Sequence, residues 1–105
     1  MTLELRPEMT ASPEDLFGEK GTFWRKITGI SKLFRVADNI DEVRPHVESR
    51  GLLLTEIWRS SWVVWREGQT PEQSEMSFFT DRVDGFVWIT EIEVEKFKEL
   101  FREES

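Results

Sequence analysis

The chain has 105 residues and a formal net charge of −7, with 38% hydrophobic and 12% aromatic residues and no cysteine. That length suits one domain with one core, expected to span residues 1–105. The missing cysteines exclude disulfides, thiol catalysis and thiolate metal sites together. Met1–Pro7 lacks a basic region followed by an apolar run, and no apolar run reaches membrane-spanning length. A soluble, cytoplasmic protein is the expectation, with no membrane association.

Residues 1–11 read as an extended, flexible N-terminal arm containing Pro7. Ser12-Pro13-Glu14-Asp15 is a strong helix start: a capping hydroxyl, a proline suited to the first helical position, and two acids at the positive end of the helix dipole. Leu16 and Phe17 would dock this short helix before Gly18 and Gly21 end it.

Residues 22–37 fit two patterns. Phe23, Ile27, Ile30 and Phe34 make a helical stripe flawed by Gly29; alternatively Phe23–Thr28 and Lys32–Ala37 are strands turning around Gly29. The strand pattern is preferred, because Gly29 falls where a turn would use it. Asp38-Asn39 then starts a helix running to Arg50, with Ile40, Val43 and Val47 inward and Gly51 as its stop. Pro45 predicts a late start or a kink.

Leu52–Glu67 holds three of the five tryptophans. A helical stripe through Leu54, Ile57, Trp58, Trp62 and Trp65 competes with two strands, Leu52–Trp58 and Trp62–Arg66, bent at Arg59-Ser60-Ser61. Val63-Val64 favours the strands. Residues 68–75 are polar and turn-forming. Met76–Thr80 and Phe86–Ile89 read as strands about an Asp84-Gly85 turn, the second apolar on both faces and so central. Thr90-Glu91-Ile92-Glu93 resembles a capping box for a last helix to about Glu103, with Val94, Phe97, Leu100 and Phe101 buried. The expected fold is α+β: an antiparallel sheet of four to six strands with two or three helices mainly on one face.

Chemistry is sparse. His46 is the single histidine, with no nucleophile-elbow serine and no ligand-spaced carboxylates near it, so it reads as an exposed helix residue. No metal site and no cofactor is expected. Arg25, Lys26, Lys32 and Arg35 form a basic island interleaved with Phe23, Trp24 and Phe34, types that stack on bases and pair with phosphates. The surrounding acids oppose nucleic acid, which needs a basic field over much of the surface.

The remaining signal is Trp58, Trp62 and Trp65 bracketed by Arg59 and Arg66, a composition suited to an interface centre. The expectation is a non-enzymatic protein–protein interaction module, an adaptor, inhibitor or immunity-type partner. Its partner would be another protein with a basic surface, or a second copy in a homodimer. Two other readings are a small-ligand domain or small enzyme with a Trp-lined pocket around Glu56, and an acidic mimic of nucleic acid.

Overall fold

The structure, a computed structural model, describes residues 3–102. Its elements are β1 (Arg6–Ala11), α1 (Pro13–Phe17), α2 (Glu19–Thr28), β2 (Leu33–Ala37), α3 (Ile40–Glu48), β3 (Leu53–Trp58), β4 (Ser61–Trp65), β5 (Met76–Thr80), β6 (Val87–Thr90) and α4 (Val94–Phe101). The six strands form one antiparallel sheet in the order β1-β2-β6-β5-β4-β3. The fold is α+β, as the sequence pattern implied. β3 to β6 are a meander, and β2 closes on β6 so that the last strand is central.

Successive side chains on a strand point to opposite faces, and cross-strand partners share a face. The main core lies on one face, where Val36, Leu54, Val64, Met76, Phe78, Val87 and Ile89 meet Val43 and Val47 of α3 and Phe97 and Phe101 of α4. Phe101 joins the two helices: its ring meets Phe97, Phe78 and the edge of His46. His46 is therefore half-buried rather than an exposed helix residue. Arg50 lies over the same ring and donates to the His46 and Arg102 carbonyls.

Phe79 alternates with Phe78 and so faces the other way. There it meets Phe17 and Trp24 edge-on at 5.7 and 5.8 Å, which docks α1 and α2 on the second face. Leu33, Val63 and Trp88 are buried on that face too.

The expected strand Phe23–Thr28 is instead the helix α2. Gly18, at φ 63°, ends α1 and starts α2, and Gly21 does not end a helix but sits inside one. A Cβ at Gly21 would overlap the Pro13 carbonyl, so only glycine lets α2 lie this close to α1. Trp24 turns inward while Phe23 and Ile27 point to solvent, which removes the stripe that the spacing suggested. Gly29 does serve as a turn, as the left-handed C-cap of α2, its N–H bonded to the Arg25 carbonyl.

Of the arm at residues 1–11, Arg6–Ala11 is the edge strand β1, and Leu3 and Leu5 pack against the core. Met1 lies outside the described residues. α3 starts at Ile40, capped by Asn39 and running through Pro45, so the late start does not occur. Thr90 makes no capping bond; a 3₁₀ turn over Glu91–Glu93 precedes α4, and Glu103 lies outside the described residues.

Candidate functional site

β3 and β4 are joined by Arg59-Ser60 alone. Ser60 takes φ 61°, a left-handed conformation uncommon for a residue with a Cβ. Three bonds hold it there: the Thr80 N–H donates to the Ser60 carbonyl at 2.8 Å, the Thr80 hydroxyl donates to the same oxygen, and Arg82 Nε donates to Ser60 Oγ. The tip is thus pinned to the end of β5 and presents its side chains on a fixed backbone.

The register then decides which side chains share a face. Glu56 pairs with Trp62, but Trp58 pairs with Ser61, so Ile57 is an extra residue, a β-bulge. Ser61 faces opposite to Trp62, and Trp58 goes with Ser61. Alternation along Leu53, Thr55 and Ile57 carries those residues to the same face. The bulge therefore sets Ile57 and Trp58 side by side, and the row Leu53, Ile57 and Trp58 is 40%, 50% and 72% exposed.

The candidate residues separate on this frame. Trp58 is the exposed tryptophan, and Arg59 beside it has no ion pair or side-chain hydrogen bond among the described residues. Trp65 shares the Trp58 face but is half-buried, its indole donating to Thr55 Oγ1 at 2.9 Å. Trp62 lies on the opposite face, partly packed on the main core under the Arg44 guanidinium. Arg66 Nε donates to Glu75 at 2.9 Å, and this bond is the main reason the Glu75 carboxyl titrates below its usual range. The structure joins Trp58 with Arg59, then, and not the three tryptophans with both arginines.

The basic island is also divided. Trp24 is one wall of the aromatic cluster with Phe17 and Phe79, and Arg25 is paired to Glu14 at 2.9 Å. Arg35 is only 12% exposed, stacked 3.9 Å over Phe86 and bonded with Arg6 to Asp38. Lys32 sits over Phe34, whose ring belongs to the opposite side of the sheet from Trp24. Lys26 projects from α2 into solvent.

Glu56 is exposed on β3 beside Trp62, and no tryptophan lines the groove of about 440 Å³ between Leu3, Leu5, Phe97 and Phe101. Among the described residues no group of three or more His, Asp or Glu could hold a metal ion, and no helix is long and apolar enough to cross a membrane. Sequence reasoning missed Leu53 and Ile57, whose exposure follows from β3 being an edge and from the bulge. Alternation within L-L-T-E-I, residues 53–57, groups them, but nothing local marks an edge strand. Comparison with protein-family models, with curated proteins and with solved structures finds no match.

Proposed function

We propose that the protein is a non-enzymatic protein–protein interaction module of the cytoplasm, an adaptor, inhibitor or immunity-type partner, binding through the end of the β3–β4 hairpin. The observation that supports this is Trp58, 72% exposed at the end of β3 beside a pinned turn, with an arginine next to it that is unpaired among the described residues. An indole held out on a rigid backbone loses little conformational entropy when a partner covers it. Its large apolar area, with a guanidinium able to bond carbonyls or carboxylates, is the residue pairing that dominates interface energies. The exposed acids Glu67, Glu72, Asp84, Glu91, Glu95 and Glu99 would steer a basic protein toward this surface.

The test is capture from a lysate with wild-type protein and with the Trp58→Ala/Arg59→Ala double variant, both checked for fold by circular dichroism. A partner held by the wild type should lose at least about 30-fold in affinity for the variant, the size of a single hot spot. A protein held equally by both, or no protein held by either, would contradict the reading.

A further inference from the structure

β3 closes one end of the sheet, with β4 as its only strand neighbour among the described residues, so the outward N–H and C=O groups of one side of it have no ladder there. We propose that a second copy of this chain pairs along β3, antiparallel and centred on Thr55, giving a continuous sheet through a twofold axis. This rests on the same end of β3 being an interface, and it identifies one occupant of it.

The register follows from the side chains. A twofold contact must be self-complementary. Centred on Thr55, each Leu53 stands opposite Ile57 of the second copy, so the two half-exposed apolar residues of this face cover each other twice. The two Thr55 side chains meet at the axis. Each already accepts a bond from Trp65 Nε1, which leaves the hydroxyl proton of one to donate to the oxygen of the other. Centring on Glu56 instead would set two carboxylates directly opposite, which is destabilising.

One row of strand residues buries less than the roughly 800 Å² per partner of a standard interface, so the dimer is weak, with a Kd of about 10–100 μM.

The test is sedimentation equilibrium from about 5 to 500 μM at 0.15 M salt, where repulsion between the two charges of −7 is screened within about 8 Å. The wild type should rise from 12.5 kDa toward twice that mass. Leu53→Glu alone and Ile57→Lys alone, both at exposed positions, should each raise the Kd by at least about tenfold, because each buries an unpaired charge. The variant carrying both should recover dimerisation, because the new carboxylate of each copy then faces the new ammonium of the other, an opposition that only this register creates. A wild type that stays at 12.5 kDa throughout overturns the proposal and leaves the Trp58–Arg59 reading to its own test. A dimer unaffected by the single changes, or one that the double change does not restore, also overturns it.

Discussion

The two edges of the sheet are built differently. β1 carries Pro7 and Glu8, and its ladder to β2 is irregular between Arg6 and Thr10, with three more residues on β1 than on its partner. Proline, charge and a bulge are the devices that keep an edge from pairing with another chain. β3 has no proline and one charge, Glu56, its ladder is regular from Leu53 to Glu56, and its bulge comes only at the end, where it exposes Ile57 and Trp58. One edge is closed by its sequence while the other is left available. An exposed apolar strand is a liability that a sequence ordinarily blunts, so the asymmetry marks β3 as the working edge.

The largest effect should separate the covered and open faces of the β3 side. Trp62→Ala removes an indole partly packed on the core and should cost about 2 kcal/mol in urea unfolding, less than the 3–5 kcal/mol of a fully buried tryptophan. Trp58→Ala should stay within about 0.5 kcal/mol, as a surface change does. Equal costs would mean that Trp58 supports the fold and is not held in reserve.

On the other edge, β1 runs straight into the capped start of α1. The Ser12 hydroxyl accepts from the Asp15 N–H, and the Asp15 carboxylate accepts from the Ser12 N–H. Ser12→Ala should cost about 1 kcal/mol and speed amide exchange in β1 and α1 while leaving β3 unchanged. The Ser12 backbone bond is the main reason the Asp15 carboxyl is held below its usual 3.8, with the side-chain bond next. Its stabilisation is therefore complete above that value and disappears as pH falls through the lowered one.

Ser60→Gly bears on the β3 tip. Relief of the left-handed strain should outweigh glycine's unfolded-state entropy and the lost Arg82 bond by about 0.5 kcal/mol of added stability in urea unfolding. Destabilisation would show that the Ser60 hydroxyl, and not only the backbone bonds from Thr80, holds Trp58 and Arg59 in place.

The smallest effect has the opposite pH slope. Burial raises the Glu93 carboxyl above its usual 4.5, only partly offset by Lys96, and its Oε2 has no hydrogen-bond partner among the described residues. The folded chain then holds this proton more tightly than the unfolded chain, so the carboxylate costs stability increasingly as pH rises through that range. Glu93→Gln should gain about 0.5 kcal/mol at neutral pH, limited by screening on the solvent side, and nothing well below 4.5. The check is thermal unfolding at both pH values.

Much of the sheet was legible because its strands carry their own pattern. Met76–Thr80 is bounded as the alternation says, and the β3–β4 hairpin was recognisable from Val63-Val64 and the broken period at Arg59. The Phe23–Thr28 helix is not legible in the sequence, because its identity depends on Gly21 fitting against Pro13, a tertiary contact that no local pattern carries. The same limit applies to the candidate site. Composition located the tryptophans, but the bulge at Ile57 and the position of β3 in the strand order decide which of them meets solvent. Trp62 and Trp65 look equivalent to Trp58 in the chain and differ only through pairing.

The most direct measurement is acrylamide quenching of tryptophan fluorescence in the wild type and in Trp58→Phe, first dilute and then at concentrations where the protein associates. The dilute wild type should have one readily quenched component, Trp58→Phe should remove most of it, and association should protect it. If both proteins quench alike when dilute, or if Trp58 stays fully accessible in the associated state, the open edge of β3 is not the binding surface.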